Sequence, residues 1–295
     1  MPGAVRALEL LGVGVDGHPL CGIRYLDRRS AAEARFAAGA GRGVRRTELH
    51  AALARRAEQL GVRVMPLRIG VVRQDASGVS AAGISARYLA AADGLHSPLR
   101  RQLGLEERSL ARAEPARYGL RRHFAVAPWS DCVEVHWAPG AEAYVTPLGP
   151  ELVGIAVLTC ERGPFDAQLA RFPGLVGRLA GSAVTAVRGA GPLRQRVRSR
   201  VAGRVLLVGD AAGYTDALTG EGVALALAGA AELVRCVRAG RPQEYERAWL
   251  RASRRHRLLT GALLWARHRP ALAARIVPAA AALPPLFALL VDQLA

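Results

Sequence analysis

Lysine is absent: all 41 basic residues of this 295-residue chain are arginines. The formal charge of +17 and the isoelectric point near 11.3 would ordinarily point to nucleic acid or an anionic surface. An arginine-only set in an alanine-rich background reads instead as the coding bias of a GC-rich genome, so charge says little about function. Cysteine is scarce. Cys21, Cys132, Cys160 and Cys236 lie far apart and spell no metal-type pair, so no metal is expected and reduced thiols are the simplest reading. Long apolar runs are missing too. The longest late uncharged stretch, residues 276–291, contains Pro278, Pro284 and Pro285 and falls short of the ~20 apolar residues of a spanning helix. It is read as a packed helix pair without stable membrane insertion. No secretory leader is seen, since Met1-Pro2-Gly3-Ala4 opens a helical pattern, and the expected location is cytoplasmic.

With 51% hydrophobic residues, the chain can bury a substantial core in one large or two modest domains. Its organising stretch is residues 204–228, RVLLVGDAAGYTDALTGEGVALALA. Val205 to Val208 is an unbroken apolar run between Gly203 and Gly209, the pattern of a strand covered on both faces in a parallel sheet. Gly213, Gly220 and Gly222 keep the following loop free of side chains, and Thr219, Gly220 and Glu221 lead into a helix from Gly222. Such a helix start attracts an anion or an electron-rich ring edge. Asp210, just after the strand, is placed to accept a ribityl or ribose hydroxyl.

Gly209-Asp210-Ala211-Ala212-Gly213 followed by Leu218-Thr219-Gly220-Glu221-Gly222 resembles the second flavin-binding motif of FAD-dependent monooxygenases and geranylgeranyl reductases. The resemblance implies that Asp210 binds the ribityl chain and that the helix after Gly222, beginning with Val223, aims its N-terminus at the flavin pyrimidine. Ala217 departs from the proline usual in the reductases. Two other segments resemble the same superfamily in the same order. Arg46 stands three residues before Leu49, where an arginine reaches the FAD. Ala92-Asp93-Gly94-Leu95-His96-Ser97-Pro98-Leu99-Arg100 resembles its A-D-G-x-x-S-x-x-R motif, which places Asp93 and Gly94 beside the pyrophosphate, with Asp93 and Arg100 bracing the turn. Ser97-Pro98 is equally an ordinary helix cap followed by a first-turn proline.

In chain order, residues 4–11 place Val5, Leu8 and Leu11 on one helical face. Gly12-Val13-Gly14-Val15-Asp16-Gly17 spells G-x-G-x-x-G, but it follows a helix and precedes His18-Pro19, so it is read as a turn. Leu49, Leu53 and Ala57 mark an amphipathic helix, with Thr47 as its N-cap and Gly61 closing it. Residues 62–89 suggest a small antiparallel meander. Strands are expected at 122–126, 133–137, 143–146 and 152–158, separated by proline and glycine turns, in an antiparallel sheet. In the superfamily such a sheet floors the substrate pocket, and it carries His123, Glu134, His136, Trp137 and Tyr144 here. Alternation turns His136 away from Val135 and Trp137. Arg194, Arg196, Arg198 and Arg200 alternate at strand spacing and read as a solvated edge. Tyr245, Trp249, Ala252, His256, Leu259 and Leu263 trace one further apolar helix face.

The fold class expected from the resemblance is α/β: an FAD/NAD(P)-binding, para-hydroxybenzoate hydroxylase-like fold with an antiparallel β substrate domain and C-terminal helices. The expected division is 1–110 and 193–295 for the FAD-binding domain and 111–192 for the substrate domain. The function implied is an FAD-dependent oxidoreductase, foremost a monooxygenase that uses NAD(P)H and hydroxylates a small organic substrate. A geranylgeranyl reductase-like double-bond reductase is the alternative. Two other readings stay open: an inactive remnant, and a nucleic-acid-binding protein supported by charge alone. The superfamily order also calls for a strand, a glycine-rich loop and a helix before the segment that begins here at Met1, so the expectation is that this first βαβ unit is missing. Its strand is expected to lie beside Val205 to Val208 and to leave that strand's edge unpaired.

Overall fold

A computed structural model describes residues 1–107, 115–179 and 183–294. Among these, seven strands form the main sheet in the order Arg188–Ala190, Tyr118–Phe124, Leu152–Thr159, Ala141–Gly149, Cys132–Ala138, Gly22–Leu26 and Ala31–Arg35. Neighbours are antiparallel, except that Cys132–Ala138 runs parallel to Gly22–Leu26. The expected antiparallel sheet is therefore present, and two early strands extend it. The strand expected at 122–126 spans Tyr118–Phe124 instead: it pairs residue for residue with 153–159, and the chain turns after Phe124 as Val126 N donates to Phe124 O at 3.1 Å.

Alternation gives the sheet two distinct faces. Tyr25, Val135 and Tyr144 are register partners, and with Trp137 they face the C-terminal helices, whose Leu264, Val277, Phe287 and Val291 pack into them. Ala143, Val145, Val153 and Val157 face the other way, under the Phe165–Leu169 and Pro173–Leu179 helices. His136 pairs with Ala143 on that second face, turned away from Val135 and Trp137 as expected.

Val205–Leu207 is fully buried, as its apolar run predicts. It runs parallel to Leu89–Ala91 and antiparallel to Val201–Ala202. This corrects the expectation of an unpaired edge: both edges of Val205–Leu207 are filled, and Leu89–Ala91 and Val201–Ala202 are the outer strands of this three-stranded sheet. The meander is present as Val72–Gln74, Val79–Ala81 and Ile84–Ala86, with Asp75 Oδ1 accepting the Ser77 and Gly78 N–H groups in its first turn. It starts later than expected, and residues 62–71 carry no regular strand.

Pro2–Leu10 is helical, and the G-x-G-x-x-G spelling follows it as a turn leading to the strand His18–Leu20. The helix Arg46–Gln59 packs Leu49 and Leu53 against Leu8, Val13 and Leu227. Gly61, at φ +72°, closes it as expected, with Gly61 N on Glu58 O and Val62 N on Ala57 O. Its start differs: Arg45 holds the N-cap position, Thr47 lies inside the first turn, and no side chain caps the end.

The late apolar face is divided between two helices, Tyr245–Ala252 and Arg254–Arg267. Tyr245, Trp249 and His256 are buried, while Ala252 is exposed. The arginine stripe also divides. Arg194, Arg196 and Arg198 are exposed, whereas Arg200 is buried, stacked 3.7 Å over Trp249 and bonded to Glu246. The last helices, Pro270–Ala282 and Pro284–Leu294, meet at 104°, and no single helix among the described residues is long and apolar enough to cross a membrane.

Candidate functional site

Beyond Val208 the chain makes one 3-10 turn, Gly209–Ala212. Gly209, Gly213 and Gly220 adopt φ of +63°, +118° and +70°, values that explain why glycine punctuates this loop. Asp210 sits part-buried in the turn. Burial pushes its carboxyl above the ordinary range, and the facing Arg46 guanidinium pulls the other way; among the described residues no donor bonds it.

The loop is pinned from three sides. Leu218 N donates to Asp216 Oδ1 at 3.1 Å, Tyr144 OH donates to Leu218 O at 2.8 Å, and the Thr219 and Thr260 hydroxyls meet at 3.2 Å. The helix Gly222–Arg238 then begins without a side-chain cap, because the carboxylate of Glu221 at the N-cap position is bonded to His256 Nδ1. Its first-turn N–H groups and the positive end of its dipole are left for another partner.

Arg46, Gly220 and Val223 line one cleft of about 260 Å³, together with Leu8, Val13 and Leu49. Gly209, Asp210 and Gly222 line a narrower gap with Tyr214 and His256. Asp93 and Gly94 line neither. Gly94 turns at φ +78°, and Asp93 Oδ2 accepts Leu99 N at 3.0 Å. Ser97 caps the Pro98–Gln102 helix by accepting Arg100 N at 2.9 Å. The buried Arg100 donates to Leu95 O at 2.7 Å and Ala211 O at 3.1 Å, so it ties the Asp93-Gly94 turn to the turn that holds Asp210.

A second assembly escaped sequence reasoning. Arg117 donates from Nε to Asp216 at 2.9 Å and from Nη2 to Glu142 at 2.8 Å, and Glu142 also accepts from Arg267 Nε. All four side chains are buried, two cations against two carboxylates, a balance that a low-dielectric site requires. Burial lowers the Arg267 pKa to about 10. The available signal was Glu142, a carboxylate on the apolar face of an alternating strand beside Tyr144.

This quartet borders a cavity of about 670 Å³ between the sheet and the C-terminal helices, lined by Arg117, Trp137, Pro139, Cys160, Arg267 and Pro270. Arg117 Nη1 and Trp137 Nε1 are buried and bond nothing among the described residues. Of the other residues singled out in the sheet, Glu134 accepts from Trp129 at 3.0 Å and pairs with His136 at 2.9 Å on the opposite face, which makes both structural.

No family model matches the chain, and no curated protein matches its sequence. Solved structures match its fold. CmlS, a flavin-dependent halogenase, aligns with a TM-score of 0.72 and 20% identity over 88% of this chain, which spans 55% of the length of CmlS. A flavoprotein/dehydrogenase from Cytophaga hutchinsonii aligns with a TM-score of 0.81 and 15% identity, over 99% of this chain and 79% of that one. The flavin-dependent brominase Bmp2 gives 0.78 and 16%, over 99% and 82%. At these identities the likeness is one of fold: this chain has the mixed α/β, para-hydroxybenzoate hydroxylase-like fold of the FAD-dependent oxidoreductases.

Proposed function

We propose that the protein is an FAD-dependent oxidoreductase, a monooxygenase that draws electrons from NAD(P)H and hydroxylates a small organic substrate. The observation that carries this reading is the set of polar groups around the loop: an uncapped helix start at Gly222, Arg46 and Val223 in one cleft, and an Asp210 carboxylate that no donor bonds among the described residues. These groups fit a flavin. Asp210 would accept ribityl hydroxyls, the N–H groups of the first helical turn at Gly222 and Val223 would hold the electron-rich ring edge, and Arg46 would neutralise phosphate. Bound there, FAD supplies the hydride and oxygen chemistry that the side chains lack.

The chain's own contribution is position and an apolar wall. Asp216 and Tyr144 hold the two backbone groups of Leu218, which sets the loop ahead of the helix. Trp137, Pro139 and Pro270 give the large cavity an apolar wall, and Arg117 Nη1 and Trp137 Nε1, which bond nothing among the described residues, suit a substrate that carries a hydrogen-bond acceptor. The small-residue and proline wall at Pro270, Ala273, Ala274 and Pro278 favours a second reading, a reductase acting on the double bond of an apolar chain.

Fluorescence titration of FAD with the purified chain tests the assignment. Saturable quenching that weakens in Arg46→Leu supports it; FAD that shows no saturable binding refutes it.

A further inference from the structure

We propose that Cys21 and Cys132 are a redox-active pair, closed to a disulfide by a hydroperoxide and reopened by a thiol reductant. The sequence separates them by 111 residues, yet the fold brings their sulfurs to 3.1 Å. The backbone causes this approach. Gly22–Leu26 and Cys132–Ala138 run parallel with Gly22 opposite Cys132, and Cys21 N donates to Asp131 O at 2.9 Å, so both cysteines stand at the same end of adjacent strands. A disulfide needs ~2.05 Å, which leaves the sulfurs about 1 Å to travel.

The two thiols differ in access. Cys21 is partly exposed and Cys132 is fully buried, so a peroxide meets Cys21 first. Its sulfur attacks one peroxide oxygen, the O–O bond breaks, and Cys21 becomes a sulfenic acid as water leaves. The Cys132 sulfur then displaces hydroxide from Cys21, which takes up the Cys132 proton and departs as a second water. Two thiols and one hydrogen peroxide thus give one disulfide and two waters. Burial and the Asp131 carboxylate raise the Cys21 thiol, against the pull of Arg35, and burial raises Cys132, so the resting pair stays protonated.

Asp131 lies within 4.8 Å of both sulfurs, and the three form a set of metal-ligand type without a fourth such side chain among the described residues. The sulfur spacing favours the disulfide over the metal. Two thiolates on a tetrahedral zinc at ~2.3 Å stand about 3.8 Å apart, wider than the 3.1 Å seen here. The same strands lead to the large cavity, where residues 27–30 and 137–140 form part of its wall, so the crosslink fixes that wall from its far end.

The test treats the reduced, desalted full chain with hydrogen peroxide and alkylates it without reductant. Trypsin with a glutamate-specific protease then separates Cys132 from Cys160, which trypsin alone leaves on one peptide. Mass spectrometry is expected to find the Cys21 and Cys132 peptides joined with the loss of two hydrogens, Cys160 and Cys236 outside the crosslink, and release by dithiothreitol. Cys21→Ser abolishes the crosslink, while Cys160→Ser leaves it intact. The proposal is overturned if both thiols still alkylate after peroxide, if Cys21 proceeds to sulfinic acid without a crosslink, or if their protection is removed by a chelator.

Discussion

Arg117 and Asp216 form a buried ion pair, Nε to Oδ2 at 2.9 Å, that ties the start of the antiparallel sheet to the loop leading into the Gly222–Arg238 helix. Asp216 Oδ1 also accepts the Leu218 N–H, so one carboxylate fixes both strand and loop. Removing it leaves a buried guanidinium partly uncompensated, at a cost of about 3 to 5 kcal/mol. Asp216→Ala is expected to lose that much in urea unfolding and Asp216→Asn less. A loss under ~1 kcal/mol in Asp216→Ala would show that water reaches Arg117.

Asp210 is the carboxylate from which the proposed flavin site draws most. Replacing it with alanine removes a charged acceptor for a ribityl hydroxyl, worth about 1.5 to 3 kcal/mol, and so weakens FAD binding roughly tenfold to a hundredfold. Unchanged FAD affinity in Asp210→Ala, read by fluorescence titration, removes Asp210 from the site.

The same residue carries a cost in the flavin-free chain. Burial raises the folded-state carboxyl pKa, so its contribution to stability is complete below the unfolded carboxyl range and is lost as pH rises through the raised value. Asp210→Asn is therefore expected to melt above the parent chain at pH 7, with the difference shrinking as pH falls toward 4. A difference that grows on acidification contradicts the burial argument.

The motif loop was legible because its causes are local. Glycine is needed at the positive φ of Gly209, Gly213 and Gly220, and an unbroken apolar run is needed where Val205–Leu207 is covered on both faces. The amphipathic helix Arg46–Gln59 and the antiparallel meander were legible for the same reason. What the sequence concealed is long-range. Arg117 meets partners 25 and 99 residues away, Arg267 meets Glu142 across 125 residues, and among 41 arginines neither stands out. Gly22–Leu26 is short and pairs in parallel with a strand more than a hundred residues on, so no turn or alternation announced it. Arg45 at the N-cap position shows the limit of cap preference: with no side-chain cap formed, packing of Leu49 and Leu53 sets where the helix stands.

Oxygen separates the two chemistries proposed for the large cavity. With flavin, NAD(P)H and an accepted substrate, a monooxygenase consumes one dioxygen per product, which an oxygen electrode and product assay read together. Full turnover in the absence of oxygen selects the double-bond reductase.

Residues 60–71 carry a run of exposed apolar side chains. Leu60, Val62, Val64 and Val71 are 62%, 54%, 72% and 63% exposed, with Met65, Leu67 and Ile69 between them. No regular strand organises the stretch beyond Gly61 until the meander begins at Val72. Clustered apolar side chains of this kind favour self-association, because burying each against another copy gains roughly 1.5 to 3 kcal/mol when complete. The chain is therefore expected to associate with rising concentration, read by light scattering. Val64→Glu with Val71→Glu should suppress that association. Both side chains face solvent, so their replacement should move the unfolding free energy by no more than about 0.5 kcal/mol. Association that persists in the double variant would place the adhesive surface elsewhere, whereas a large fall in stability would mean that this segment is packed in solution.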